Sequence, residues 1–232
     1  MTTNPILSNA ALTGAIQALA LYPLEVWSTR RFVENSQKVG MKFPLAGFSL
    51  SAAQRCLKAG FTLGSYNFFM QQHDNTLPAS VNAAISGATT GLCEAIVFNP
   101  LTVLKNHKQI SPNKPLLQIL NELRIKKLTA GTIATAQRNV TCSCIAMGTF
   151  GVITDKDDSK PRQVATGAVS FLAGGLVALP LERNRLNKVF SLQSNVNYAR
   201  IFTLLCPGLL KVMAIGAIYG PGLHIINNGK DH

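Results

Sequence analysis

Negative charge is scarce in this chain. Ten Asp and Glu stand against 22 Lys and Arg, a formal net charge of +12, and charged residues of both signs make up only 14% of the 232 residues. An average soluble domain carries about 25%. A soluble nucleic-acid binder can be this basic, but it normally carries far more charge of both signs, so nucleic acid is not expected as a partner. Sparse charge in a chain that is 47% hydrophobic points instead to a membrane protein. The competing class, a soluble basic helical protein, stays open here because polar residues interrupt every apolar stretch.

Other absences narrow the chemistry. The five cysteines (Cys56, Cys93, Cys142, Cys144, Cys206) form no CxxC and no metal spacing with histidine, so packing is the default reading. His73, His107, His224 and His232 share no pattern that points to a metal or a triad, and glycine-rich phosphate loops and Ser/His/Asp sets are missing. No enzyme, metal or cofactor is expected. No Lys or Arg precedes Arg30, so the opening residues read as neither a secretory signal nor an Arg-rich transit peptide. Any organelle address is expected to be internal.

What is present is repetition. "LYPLEVWSTRR" at 21–31 returns as "FNPLTVLKNHK" at 98–108 and "LPLERNRLNK" at 179–188, with Pro23, Pro100 and Pro180 at 77- and 80-residue intervals. Upstream, small residues recur every fourth position: Ala10, Gly14 and Ala18, then Ala83, Gly87, Gly91 and Ala95. That spacing lines one helix face and lets backbones approach closely in a membrane. The third copy keeps Gly167 and Gly175 but has Phe171 between them. A second segment repeats around "AQR", at 53–55 and 136–138, with Lys211 in the third basic position. Gly60 and Gly64 share an offset with Gly216 and Gly220, whereas the middle copy has Ser143 and Met147.

The pattern predicts an all-α membrane protein of six helices near 8–33, 47–72, 79–106, 131–153, 162–189 and 202–226. They form one domain, 1–232, of three repeats at about 1–74, 75–158 and 159–232. The connectors 23–58, 100–138 and 180–211 hold 18 of the 22 basic residues and only four acids. Six alternating spans put all three on one side, the asymmetry that sets membrane orientation. Both termini are expected on the other side.

Together these motifs resemble the mitochondrial carrier family, whose three repeats each carry Pro-x-Asp/Glu-x-x-Lys/Arg on the odd helix, and the resemblance covers nearly the whole chain. It implies a pseudo-threefold six-helix bundle in the mitochondrial inner membrane, with another organelle membrane as the alternative. It also implies a monomer with an anionic lipid such as cardiolipin at the matrix side. Pro23, Pro100 and Pro180 would kink the odd helices, and the charged residues after them would form the matrix gate. By family pairing Glu25 meets Lys105. Thr102 and Ser28, standing at an acid and a base position, leave Arg185 and Glu182 without their partners. The opposite gate, at "YNFFM", has Asn67 and Met70 at its charged positions. In the second connector, "PLLQILNELRIKKLTAG" reads as a short amphipathic helix with Leu116, Leu117, Ile119, Leu120 and Leu123 on its apolar side.

Arg55, Arg138 and Lys211 occupy equivalent positions on the even helices. Facing lipid, each would cost roughly 3 kcal/mol, so they are expected to face a wet cavity as a site for an anion. The family's contact points match Arg55, Arg138 with Asn139, and Lys211. Arg followed by Asn resembles members that carry carboxylates or keto acids. The expected function is therefore transport of a small anionic metabolite by alternating access. A nucleotide carrier, or a carrier-fold membrane adaptor without transport, is the alternative. Glu94, inside the third helix, either moves protons with the cargo or pairs with a nearby cation.

Overall fold

The structure, a computed structural model, describes residues 14–23, 25–26, 47–72, 77–111, 113–129, 131–155, 157–190 and 201–228. All regular structure in them is helical. In chain order the elements are α1 (14–23, 25 and 26), α2 (Phe48–Gln72), α3 (Ala79–Ile110), α4 (Leu116–Leu128), α5 (Thr132–Ile153), α6 (Lys160–Phe190) and α7 (Ile201–Asn228). Ala10, Ser28, Arg30, Arg31, most of the first connector and residues 191–200 of the third lie outside the described residues. Pro100 and Pro180 sit inside α3 and α6, which continue to Ile110 and Phe190. α3 runs four residues past its expected end at 106, whereas α6 ends within one residue of the expected 189. Residues 79–110 of α3 and 160–182 of α6 are long and apolar enough to cross a membrane.

The in-phase glycines explain the packing. A Cβ on Gly14 would strike the backbone of Cys56 in α2, and one on Gly87 or Gly91 would come within 2.6 or 2.7 Å of the Ser143 or Asn139 carbonyl oxygen in α5. Gly167 meets the Gly216 backbone in α7. Each odd helix thus lies backbone-to-backbone on the next long helix, as small residues at four-residue spacing allow. Phe171, which breaks the glycine phase of α6, is accommodated from the other side: Gly216 faces its Cβ, and its ring stacks on Tyr219 at 5.9 Å. Ser143 and Met147, which break the phase of α5, lie over Gly87. Long helices pack in the order α2, α3, α5, α6, α7, with α7 touching α2 again.

An apolar core is present, but charged side chains are buried with it and large apolar side chains are exposed outside it. Leu19, Ile96, Val152, Val177 and Ile225 are exposed, while Glu25, Arg55, Glu94, Lys105 and Asn139 are buried. Isolated exposed leucines are ordinary, but buried charge beneath an apolar exterior is informative.

α4 forms where the amphipathic pattern places it, though only part of the apolar set is buried. Ile119 and Leu123, four apart, pack with Val103, Leu104 and Val189. Leu116, Leu117 and Leu120 stay exposed; Leu116 and Leu120 sit along the edge of the stripe that Ile119 and Leu123 share, and Leu117 lies off it altogether. Leu123→Ala should therefore cost about 2–4 kcal/mol. Leu117→Ala should stay within about 0.5 kcal/mol of wild type. Thermal unfolding of the purified protein compares the two, and equal losses would refute the orientation. On the exposed side, Lys114 Nζ donates to both Glu122 carboxylate oxygens at 2.8 and 2.9 Å and holds that carboxyl below its usual range. A depressed carboxyl stabilises above its unfolded-state pKa, so this tie is lost as pH falls through the carboxylate range.

Candidate functional site: two arginine clusters and a buried ion pair

Glu25 follows Pro23 by two residues and points inward from α1. Its Oε2 accepts from Arg55 Nη2 at 2.5 Å and from Ser51 Oγ at 3.3 Å, while Lys105 Nζ donates to Oε1. The pair expected between Glu25 and Lys105 is present, and Arg55 joins it. One carboxylate therefore ties together α1, α2 and α3. All three charged side chains are at most 9% exposed. Burial at that level is tolerable only where each charge has a partner.

The second cluster corrects the expectation that Glu182 and Arg185 lack partners. They pair with each other: Arg185 Nε and Nη2 donate to Glu182 Oε2 and Oε1 at 3.0 and 2.5 Å. Residues three apart on one helix are neighbours, so the loss of Thr102 and Ser28 as charged partners is offset locally. Arg138 adds a longer contact, Nε to Glu182 Oε2 at 3.2 Å, without hydrogen-bond alignment, and its Nη1 donates to Asn139 Oδ1 at 3.0 Å. This cluster is more open than the first, with Arg138 and Glu182 side chains 27% and 32% exposed. Arg185 lies near enough to act on Lys105 electrostatically, so the clusters adjoin.

Arg55 and Arg138 are therefore not bare cations facing a cavity: each is held by the carboxylate of a proline motif. Lys211 lies on α7, and its side chain falls outside the described residues. At the acid position of the second motif, Thr102 Oγ1 accepts from Gln54 Nε2 at 2.7 Å, a neutral link where the family pattern has an ionic one. The expected gate at "YNFFM" holds no charge pair among the described residues. Met70 is buried with Tyr66, Phe150 and Leu223, its carbonyl accepts from Asn82 Nδ2 at 3.0 Å, and Asn67 accepts from Gln71 at 3.5 Å. Apolar packing around Met70 stands where the family pattern has charge.

A third group lies between helices and was only half legible. Glu94 in α3 contacts Lys58 Nζ at 2.8 Å through Oε2, and Thr62 Oγ1 through Oε1. Of the two sequence readings of Glu94, the paired one matches the geometry. The Glu94 carboxylate thus links α2 and α3. Lys58 went unnoticed because its equivalents in the other copies, Thr141 and Ala214, are uncharged. Asn99 was missed too. Its Nδ2 donates to Thr132 Oγ1 and its Oδ1 accepts from Thr135 Oγ1, both at 2.9 Å, fixing α3 to the start of α5. Its place before Pro100 was the one available signal. Among the described residues no three His, Cys, Asp or Glu side chains come together to hold a metal ion.

No family model matches the sequence, and no curated protein matches it.

Proposed function

We propose that this chain is a membrane transporter of the mitochondrial-carrier type that moves a small anionic metabolite by alternating access. On this reading 1–232 is one six-span, three-repeat domain with pseudo-threefold symmetry, set in the mitochondrial inner membrane. The observation that carries the proposal is the buried charge: charged and polar side chains gathered between helices that expose large apolar side chains on their outer faces. Intramembrane ionisable residues default to a functional reading.

Arg55, Arg138 with Asn139, and Lys211 are the substrate-binding residues on this reading. Glu25, Lys105, Glu182 and Arg185 form the gate. Each arginine shares its carboxylate with a second cation, so each cluster carries one surplus positive charge that an anion can neutralise. A carboxylate entering the bundle competes with Glu25 for Arg55 and with Glu182 for Arg138, which couples cargo to gate. A dicarboxylate or keto acid fits this better than a nucleotide.

Uptake into liposomes containing the purified protein tests the proposal. Dicarboxylates or keto acids should be taken up and nucleotides should compete poorly. Arg138→Lys keeps the charge but loses the planar two-bond fork, so uptake should fall at least tenfold while insertion is unchanged. Normal uptake by Arg138→Lys would remove Arg138 from the binding site. One observation favours a membrane adaptor instead: Arg55 is buried against Glu25, as a structural pin would be. If the wild type moves no anion, that reading takes precedence.

A further inference from the structure

We propose that Glu94 sets the charge of the anion selected, by masking Lys58 beside the two arginine clusters. The inference rests on the transport reading above. Lys58 lies one helical turn beyond Arg55 on α2, and its Nζ is 2.8 Å from Glu94 Oε2. The Lys58 side chain is 35% exposed and that of Glu94 only 7%, so the ammonium is the reachable half of the pair. Glu94 lies one turn beyond Gly91, whose would-be Cβ comes within 2.7 Å of the Asn139 carbonyl oxygen next to Arg138. The pair thus lies beside the second cluster and shares one helix face with the first.

Charge decides what such a site accepts. Lys105–Glu25–Arg55 and Arg185–Glu182–Arg138 each carry one positive charge in excess, whereas Lys58–Glu94 is neutral. Two single surpluses suit an anion with two acid groups. Unmasking Lys58 adds a third positive charge and shifts the preference toward a more highly charged anion. Glu94 is held for this task by two groups on α2: Lys58 contacts its Oε2 and Thr62 Oγ1 donates to its Oε1. The positions equivalent to Lys58 hold Thr141 and Ala214, so no other copy of the repeat needs such a mask.

The test measures uptake of succinate and citrate at neutral pH by the full chain in liposomes. Wild type should prefer succinate. Glu94→Gln should raise the citrate-to-succinate ratio roughly tenfold, the effect of one unit charge acting over about 10 Å at an effective dielectric of about 20. Lys58→Met alone, which leaves the carboxylate, should lower the ratio. Lys58→Met with Glu94→Gln, which removes both charges, should return it to the wild-type value. A merely structural role would impair both anions alike in every variant. An unchanged ratio in Glu94→Gln, or no restoration in the double variant, overturns the inference while leaving transport standing. Uptake of neither anion by wild type overturns the transport reading and this inference with it.

Discussion

Glu25→Gln should destabilise the protein by about 3–5 kcal/mol, because it leaves two buried cations without their shared carboxylate. Gln keeps the shape, so the loss reports charge and not packing. Arg55 Nη2 and Lys105 Nζ both lie on that carboxylate, and neither side chain has more than slight solvent access to compensate. Pairing by the proline motifs alone predicts that exchanging the charges at 25 and 105 restores the contact. The three-membered cluster predicts the opposite. In Glu25→Lys with Lys105→Glu, the ammonium at position 25 faces the Arg55 guanidinium, so the double variant should remain as unstable as either single one. Adding Arg55→Gln should relieve it. Thermal unfolding of the four variants in one detergent decides the matter, and a coupling between positions 25 and 105 below about 0.5 kcal/mol would mean they do not interact.

Gly167→Ala should separate α6 from α7. The new Cβ would meet the Gly216 carbonyl oxygen and lie 2.8 Å from Gly220 Cα. Backbone atoms have no rotamer to change, so the helices themselves must move, at a cost of about 1–3 kcal/mol. Gly64→Ala is the control. Sequence offset makes Gly64 the counterpart of Gly220, yet no atom lies within 4 Å of its would-be Cβ. There the substitution should be neutral or stabilising by up to about 1 kcal/mol, since Ala is the better helix former. If Gly64→Ala proved the more damaging of the two, the placement of α2 would be wrong.

Periodicity determined the helices. The expected spans 47–72 and 131–153 match α2 and α5 to within one residue, and α4 lies inside the one connector with an amphipathic run. These elements were legible because apolar spacing and small-residue phase are local properties of the chain. The same local information contained the Glu182–Arg185 pair, three residues apart on one helix, but motif pairing directed each toward another repeat. Side-chain partners are chosen by distance, and the nearest opposite charge lay on the same helix.

Which cations share a carboxylate was decided only in three dimensions. Motif pairing links Lys105 to Glu25 across 80 residues, but no spacing rule brings Arg55, 30 residues from Glu25, to the same carboxylate. Their meeting depends on how deeply α1 sits against α2 and α3, which glycine contacts such as Gly14 on Cys56 set. The Lys58–Glu94 pair is of the same kind, since nothing near either residue marks it. Residue type and period specify which face of each helix turns inward. The rotation and depth at which two faces meet depend on every side chain between them, so the ionic partners follow from packing and not from the string of residues.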